Sequence, residues 1–483
     1  MKITNEPKKR KPWVRVLTLG AVLALGSALL LSGCKPGGGD ASAPPADYSV
    51  NENEPVTIRV GIWAFDSDAA GLALWEGYKN EMKEKYPNIT LQPEPYSYTS
   101  DTFIPMAVSG TAPDIFVTRF TEPNRLISNG YVADVTYFAE KYGFKDGMEP
   151  SMLAVGTMNG KIYGIPRDGY ALSLMMNKSL FEQAGLTDEN GLPIYPKTYA
   201  ELAQTAKTIT ERTGKPGLLL PTRDRQGGWQ FSNIAWSFGA TLQYQDESGK
   251  WLNALNSDAC VQTLQYYKEL RWSNALPEDT LINYEKMYQI FGTGQAAMMF
   301  AGSDSYVRPV RDYGMDKDLI AVAPLPAGPN GDQYSLLGGN MFMFSKDASA
   351  NELDACFKLL QVIGMKPTAD EQTLKAIEDE LKSRESLNYP IGPRGLNVWK
   401  DPERIAAEDA LYEKYTNVDM KLYQPFYDKV YDTLRAEEPY YCQEMYSALD
   451  KAIQTIMTDQ NADPKAELDK AAKEFQIILD QAY

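Results

Sequence analysis

The 483-residue sequence contains no histidine, only four cysteines, and fewer basic than acidic residues. Without histidine it lacks the commonest general base of enzymes and the commonest metal ligand. The formal net charge is −16, and six Lys and Arg residues lie within the first 33 positions, so the remainder is more acidic still. A body of this charge repels nucleic acid and anionic bilayers, and we expect no nucleic-acid partner.

Cysteine is too scarce for a disulfide framework. Apart from Cys34, the chain has Cys260, Cys356 and Cys442, an odd number that allows at most one pair. Their neighbours have the spacing of helix faces, which favours buried free thiols. Whether two of them pair stays open.

The N-terminus reads as a targeting segment. Basic residues precede an apolar run at 16–31, and the order Leu31, Ser32, Gly33, Cys34 follows. Small residues before a cleavage point are typical of secretory signal peptides. We therefore expect a signal peptide at 1–33. The alternative is an uncleaved anchor, for which the apolar run is short, since a spanning helix needs about 20 residues.

The order around Cys34 resembles the bacterial lipobox, in which the cysteine is diacylated and becomes the mature N-terminus. This resemblance implies lipidation at Cys34 and attachment to the outer face of the cytoplasmic membrane. Residues 34–55 hold three consecutive glycines and four prolines without apolar periodicity, which predicts a flexible tether.

The body begins with a strand–helix–strand pattern. Val56, Ile58, Val60 and Ile62 alternate with polar or small residues, a helix with one aromatic face ends at Pro87, and Ile89 starts a second strand. This spacing predicts a βαβ unit and a parallel sheet. Ligands of such sheets bind beyond the carboxyl ends of the strands, where Trp63 and Asp66 lie.

The stretch 159–186 has the sequence NGKIYGIPRDGYALSLMMNKSLFEQAGL and contains several predicted elements in succession. We expect a turn at Asn159, a short strand stopped by Pro166, polar residues, a second strand at 170–176 and a helix closed by Gly185. By local pattern alone, this could be a strand pair in any α/β domain.

Three segments resemble the extracellular solute-binding proteins of ABC sugar importers, the family that includes maltodextrin-binding protein. They are the stretch 159–186, the sequence SGTAPD at 109–114 before a strand, and FGTGQAAM at 291–298. The last lacks the lysine and glycine spacing of a phosphate-binding loop, so it predicts no nucleotide site. The resemblance is weak in 365–440.

The resemblance implies an α/β fold of two lobes, each a mostly parallel sheet flanked by helices, hinged by strands that cross between them. We expect one lobe at 56–168 plus 315–346 and the other at 169–314 plus 347–483. Two amphipathic helices are predicted for the last forty residues.

The same resemblance implies a non-enzymatic monomer, without cofactor or metal, that captures a sugar by lobe closure and docks on the permease of an importer. A surface glycoside hydrolase and a carbohydrate-binding adhesin are the alternatives. A hydrolase needs two carboxylates across a cleft, and no paired-acid motif is present; an adhesin would be expected to show repeats, which are absent.

Aromatic rings stack on the apolar faces of pyranoses while polar side chains bind the hydroxyls. We expect Trp63 and Trp229 to line the cleft from opposite lobes, Trp229 on a flexible loop after two glycines. The alternative for each tryptophan is packing in the interior, as expected for Trp236. The candidate ligand-binding residues are Trp63, Asp66, Arg119, Arg167, Tyr170, Trp229, Asp304, Tyr306, Asn340, Tyr389, Arg394 and Trp399.

Two alternatives concern charged residues. Arg119 could instead form a surface ion pair with Glu122, and the arginines Arg119, Arg167, Arg225 and Arg394 leave an acidic sugar open. The turn at 188–191 resembles the start of a calcium loop, but Leu192 and Tyr199 stand where ligands are needed, so we expect an ordinary turn.

Overall fold

A computed structural model describes residues 48–392 and 394–481. The expected signal peptide, Cys34 and the first part of the expected tether lie outside these residues. The last part of the tether, from residue 48, is packed rather than free. Tyr48 stacks on Tyr137 and meets Phe138 edge to face, with ring centroids 6.2 and 5.7 Å away. Its hydroxyl donates to the Asp134 carbonyl at 2.6 Å.

The described residues form both strands and helices. The strands are β1 (Val56–Val60), β2 (Ile89–Pro93), β3 (Ile115–Arg119), β4 (Thr157–Met158), β5 (Lys161–Ile162), β6 (Gly164–Asn177), β7 (Gln243–Gln245), β8 (Trp251–Asn253), β9 (Met298–Gly302), β10 (Ile320–Ala323), β11 (Ser335–Phe344) and β12 (Leu434–Ala436). The helices are α1 (Ala69–Lys85), α2 (Ser100–Ser109), α3 (Pro123–Ser128), α4 (Thr136–Lys141), α5 (Phe144–Gly147), α6 (Pro150–Leu153), α7 (Lys178–Gln183), α8 (Tyr199–Thr213), α9 (Gln226–Ser237), α10 (Asp258–Trp272), α11 (Tyr284–Gly292), α12 (Arg308–Tyr313), α13 (Ala350–Val362), α14 (Glu371–Ser386), α15 (Pro402–Tyr415), α16 (Gln424–Tyr427), α17 (Val430–Thr433), α18 (Cys442–Thr458) and α19 (Pro464–Asp480).

The first lobe is built on the predicted βαβ unit. Strand β1 pairs in parallel with β2 and β3, and α1 makes the crossover between β1 and β2. Ile58 and Val60 of β1 are fully buried, so the apolar side of the strand faces the core. This part of the prediction is confirmed.

Strand β6 connects the lobes. Its residues 164–171 pair antiparallel with β11, and its residues 172–177 pair antiparallel with β9 and β10. The 14-residue strand therefore belongs to the sheet of the first lobe at one end and to that of the second lobe at the other. Its last seven residues are all buried, as the apolar run in the sequence predicts.

The expected strand stop at Pro166 is wrong. Strand β6 continues through Pro166, because a β-bulge lies there: Met341 is opposite Pro166 and its neighbour Asn340 is opposite Asp168. Proline is tolerated in a sheet at a bulge, where the ladder is already interrupted. The extra residue, Arg167, is exposed and unpaired in the ladder.

Two elements lie across the lobe boundaries expected from the sequence. Strand β10, expected in the first lobe, pairs with residues 174–177 of β6 in the second. Helix α13, expected in the second lobe, packs on β1 and α1 of the first. The chain re-enters the first lobe along β11 and remains in it through α13. Phe357 of α13 therefore stacks on Phe344, with ring centroids 5.1 Å apart.

The sheet is mixed. In the second lobe the β6–β9 and β6–β10 ladders are antiparallel, unlike the expected mostly parallel sheet, because the long β6 crosses the lobes and β9 and β10 run back beside it. The second lobe is completed by α8–α12, α18 and α19. The two C-terminal helices are confirmed, with Asp463 as N-cap and Pro464 as first residue of α19.

Candidate functional site

The carboxyl ends of β1 and β3 open on a cavity of about 330 Å³, the β1 cavity, lined among others by Trp63, Tyr96, Tyr98, Arg119, Arg167 and Asn340. The backbone ties these ends together, since Tyr96 N–H donates to the Gly61 carbonyl at 3.0 Å and Gly61 N–H donates to the Ile115 carbonyl at 2.9 Å. The parallel sheet thus places Trp63 at this edge, as its position after β1 predicts.

Trp63 is held from behind by Trp75 of α1. The two rings stack with centroids 4.7 Å apart, and Trp63 is only 5% exposed. One edge of its indole therefore faces the cavity while most of the ring is part of the core. The structure thus packs Trp63 mainly in the core, and its contact with a ligand stays a prediction.

Arg119 lies where two cavities meet. It is opposite Asn340 in the β3–β11 ladder, and both side chains line the β1 cavity and its neighbour. Among the described residues, no carboxylate lies within ion-pairing distance of the Arg119 guanidinium, and the side chain is exposed. The alternative ion pair with Glu122 does not form; the Glu122 carboxylate instead accepts from the Tyr98 hydroxyl at 2.8 Å.

The neighbouring cavity, the α9 cavity, has a volume of about 340 Å³ and is lined among others by Arg119, Tyr170, Trp229, Tyr284, Asn340, Glu437 and Tyr446. Three aromatic rings form one wall. Trp229 makes edge-to-face contacts with Tyr170 and Tyr284, with ring centroids 6.3 and 5.7 Å away. Tyr284 is fixed in turn by the Gly302 N–H, which donates to its hydroxyl at 2.9 Å.

Tyr170 lies flat against β11. A Cβ atom at Gly338, the residue opposite Tyr170, would collide with the Tyr170 ring, so only glycine leaves room for it. The pair Gly338 and Tyr170 thus orients the ring toward Trp229. This is a close approach of a side chain to a backbone, one of the uses of glycine in strands.

Trp229 is not on a flexible loop, contrary to expectation. Gly227 and Gly228 lie inside α9, where a Cβ at Gly228 would collide with the Tyr446 backbone of α18. The two glycines therefore allow close helix packing. Trp229 is half-buried in the first turns of α9, and Trp236, further along the same helix, is fully buried as predicted.

Asp450 of α18 holds the start of α9. Its carboxylate accepts from the N–H groups of Arg225 and Gly228, at 2.6 and 2.8 Å. A carboxylate at a helix N-terminus satisfies free N–H groups and interacts favourably with the helix dipole. Burial nevertheless raises the pKa of Asp450 to about 6, although these hydrogen bonds lower it.

Glu437 forms the floor of the α9 cavity. Its carboxylate is enclosed by protein, and this desolvation raises its pKa to about 7, against the hydrogen bond from Tyr446 and the charge of Arg119, which lower it. The Tyr446 hydroxyl donates to Glu437 at 2.8 Å. Near neutral pH the Glu437 carboxyl can therefore donate a hydrogen bond to a ligand or accept one from it.

The bulge in β6 positions a small polar network beside Arg119. Asp168 accepts from the Asn340 N–H at 3.0 Å and from its side-chain amide at 2.7 Å, and Arg167 Nε donates to the other Asp168 oxygen at 2.6 Å. The bulge aims Arg167 into the β1 cavity. Asp168 was not among the predicted residues, although it is adjacent to one.

A third cavity, of about 360 Å³, lies at the turn after β9. This α14–α15 cavity is lined among others by Asp304, Tyr306, Arg311, Arg384, Tyr389, Tyr412 and Tyr423. Water reaches Asp304, but its carboxylate is surrounded by protein, which together with the charge of Asp168 raises its pKa. Tyr306 is buried, and its hydroxyl lies 2.9 Å from Ser173 Oγ. The expected helix begins only at Arg308 and has six residues.

Three predicted residues are not brought to these cavities. Asp66 is exposed in the loop after Trp63. Arg394 pairs with Glu408 and, at 3.0 Å, with Asp409. Trp399 is only 4% exposed, between Phe144 and the Arg404 guanidinium, because the loop that carries it packs on the first lobe.

Several residues of the site were missed by sequence reasoning. Tyr96 and Tyr98 follow β2 at the same sheet edge as Trp63, so the rule applied to Trp63 would have found them. Tyr284, Glu437 and Tyr446 carry no local signal. Tyr284 and Tyr446 reach the cavity through the packing of α11 and α18, and Glu437 through the pairing of β12 with β11.

No metal centre is evident among the described residues, where no group of three or more acidic or cysteine side chains could hold an ion. The Asp188 carboxylate accepts from the N–H groups of Asn190 and Leu192, at 2.9 and 2.8 Å, so it stabilises the expected turn. Cys260, Cys356 and Cys442 are buried free thiols. Within residues 48–392 and 394–481, no helix has the length and apolarity to cross a membrane.

Comparison with known proteins identifies related chains. The sequence profile described as "Bacterial extracellular solute-binding protein" matches residues 67–361. An arabinooligosaccharide-binding protein of Bacillus subtilis is 24% identical over 417 residues, which cover 82% of this chain and 87% of that protein. A maltooligosaccharide ABC transporter solute-binding lipoprotein of Streptococcus pneumoniae is 24% identical over 65% of this chain and 68% of that protein.

Among solved structures, a cyclic alpha-maltosyl-1,6-maltose binding protein from Arthrobacter globiformis superposes with a TM-score of 0.64 at 20% identity, covering 88% of this chain and all of that one. At this identity the likeness concerns the fold. The predicted two-lobe α/β fold is thereby confirmed.

Proposed function

Because the chain belongs to the bacterial extracellular solute-binding proteins, we propose that it captures an oligosaccharide between its lobes and delivers it to the permease of an ABC importer. The relatives named for arabino- and malto-oligosaccharides support a sugar as the solute. We propose further that it acts as a monomer that releases the sugar unchanged.

One observation carries the proposal: the ring wall of Tyr170, Trp229 and Tyr284 faces polar groups across the α9 cavity. The apolar face of a sugar ring stacks on such a wall, while Arg119, Asn340 and Glu437 bind its hydroxyls. The β1 cavity, with Trp63 and Arg167, continues the site across Arg119.

Closure of the lobes is the proposed mechanism. The residues that line the α9 cavity come from both lobes, with Arg119 on β3 of the first and Trp229 on α9 of the second. A ligand that contacts both favours the closed form by its differential affinity for it. Strands β6 and β11, which cross between the lobes, are the proposed hinge.

Titration calorimetry with arabino- and malto-oligosaccharides tests sugar binding. We expect saturable binding of at least one series, with a dissociation constant well below millimolar. Absence of binding to a broad oligosaccharide panel would contradict the proposal. A panel of chromogenic glycosides tests the hydrolase alternative, and steady release of the chromophore would show that the protein is a catalyst.

We also propose that acylated Cys34 attaches the protein to the outer face of the membrane. The relative from Streptococcus pneumoniae, which is named a lipoprotein, supports this, as does the residue order before Cys34.

A further inference from the structure

Residues 371–427, here called the added unit, lie beyond the stretch that matches the family profile. Helices α14 and α15 pack around a separate apolar cluster of Leu381, Ile391 and Tyr415. The added unit contacts both lobes: Lys317, just before β10, donates through Nζ to the Asn417 carbonyl at 2.5 Å, and Trp399 packs on Phe144 of the first lobe. It therefore adds a wall that the matched stretch alone does not have.

This wall closes the α14–α15 cavity against the turn after β9. Tyr389, Tyr412 and Tyr423 come from the added unit, and Tyr306 comes from the turn. The Tyr306 and Tyr423 ring centroids are 6.0 Å apart. Four tyrosines with Asp304 give a lining of ring faces interspersed with hydrogen-bonding groups, the combination that binds sugars.

Several polar groups of this cavity have unused hydrogen-bonding capacity. Among the described residues, the hydroxyls of Tyr389 and Tyr412 have no protein partner, whereas that of Tyr306 is held by Ser173. The Tyr423 hydroxyl and Arg384 Nε are buried without a partner. Buried polar groups are costly unless they are hydrogen-bonded, so a polar ligand entering here would stabilise the cavity.

The cavity adjoins the α9 cavity at Gly302. A Cβ at Gly302 would lie 2.5 Å from Asp304 Oδ1 and 3.2 Å from Tyr170 Cδ2, so these two side chains flank the same glycine. Tyr170 lines the α9 cavity and Asp304 lines the α14–α15 cavity. A chain that leaves the ring wall at Tyr170 thus reaches Asp304 next.

We propose that the α14–α15 cavity is an extension of the sugar site that binds the far end of a long oligosaccharide. The inference rests on the proposed function and adds to it a preference for chain length. Short sugars occupy the α9 cavity alone, and longer ones gain the contacts of Tyr389 and Tyr412.

The test is calorimetric titration with arabino- and malto-oligosaccharides from disaccharide to heptasaccharide. In the wild type, the longest members of the series that binds should bind at least about tenfold more tightly than the disaccharide. Tyr389→Ala should remove most of this gain and leave the disaccharide affinity unchanged. Tyr389→Phe, which keeps the ring, should retain most of it.

A second variant keeps the test valid if Tyr389→Ala fails to fold. Tyr412→Phe keeps the ring that packs near the Leu381 cluster and removes only the hydroxyl, so it should fold normally and reduce the gain in part. Tyr244→Ala, at a tyrosine that is 44% exposed and lines none of the three cavities, is the matched control and should change no affinity.

The outcomes separate the inference from the proposed function. If the wild type binds all lengths equally, the extension does not exist while sugar capture stands. The same holds if Tyr389→Ala and Tyr412→Phe both keep the full gain in affinity for long sugars. If no oligosaccharide of any length binds, sugar capture itself is wrong and the extension falls with it.

Discussion

The ring of Tyr170, on the strand that crosses between the lobes, meets the indole of Trp229 edge to face, with ring centroids 6.3 Å apart. The contact joins β6 to α9 at the wall of the α9 cavity. Trp229 is therefore supported on one side and open to a ligand on the other, which distinguishes it from the wholly buried Trp236.

Trp229→Ala should weaken sugar binding about 10- to 100-fold, corresponding to about 1–3 kcal/mol, because it removes the stacking surface. The melting temperature without ligand should fall only slightly, since the indole is half-buried. Calorimetry and thermal unfolding of the same variant measure both.

Trp236→Ala is the matched control on the same helix. Because Trp236 is fully buried and donates to Glu438 at 2.8 Å, its loss should cost about 3–5 kcal/mol of folding stability. Its folded fraction should bind sugar normally. Trp63→Ala should lower both the sugar affinity and the folding stability, since Trp63 lines a cavity yet stacks on Trp75. If Trp229→Ala lowered stability as much as Trp236→Ala without changing affinity, the stacking role would be wrong.

Arg119→Gln should reduce sugar affinity without destabilising the apo protein. The guanidinium has no ion pair to lose among the described residues, and it lies where the two cavities meet. An affinity loss of about tenfold or more is expected for a charged hydrogen-bond donor to the ligand.

Arg59→Gln provides the contrast. The Arg59 guanidinium donates to Asp114 at 2.7 Å, and Asp114 is only 2% exposed, so this change removes the charged partner of a buried carboxylate and leaves it only the Arg59 backbone N–H, at 2.7 Å, from this residue. Stability should fall by about 3–5 kcal/mol while the folded protein keeps its affinity. Unchanged affinity in Arg119→Gln would remove Arg119 from the site.

Glu437 should make stability depend on pH. Its pKa in the folded protein is raised to about 7, above the ordinary value of 4.5, because the carboxyl is desolvated. Between these two values the folded protein binds more protons than the unfolded chain, so the free energy of unfolding falls as the pH rises. Asp450, with a pKa raised to about 6, acts in the same direction.

Glu437→Gln removes the titrating group while keeping an acceptor for Tyr446. Its free energy of unfolding should fall less steeply with pH between about pH 5 and 7, and at about pH 8 it should exceed that of the wild type by about 1–3 kcal/mol. Urea unfolding across this range measures the slope. The exposed Glu247→Gln should leave the slope as it is; an equal slope in both variants would contradict the assignment.

Cys34→Ser should release the protein from the membrane. One or two acyl chains, at about 0.8 kcal/mol per buried CH₂, would be the attachment. Fractionation of cells followed by an alkaline wash should recover the wild type with membranes and the variant in the soluble fraction. If the precursor of the variant is still cleaved after Gly33 and the protein stays equally membrane-bound, Cys34 is not the anchor.

The sequence alone determined the elements that depend on local pattern. The βαβ unit at 56–93, the turn at Asn159 and the two C-terminal helices follow from apolar periodicity and turn residues. The position after β1 then indicated Trp63, because ligands of parallel sheets bind where the strands end.

Only the tertiary structure decided what depends on a distant partner. Pro166 could remain within β6 because β11 accommodates a bulge, and Gly228 could lie inside α9 because α18 needs the space. Trp399 became buried because its loop packs on Phe144, and Glu122 accepts from the Tyr98 hydroxyl rather than pairing with Arg119. Each of these outcomes depends on residues far away in the chain, and local spacing carries no record of such contacts.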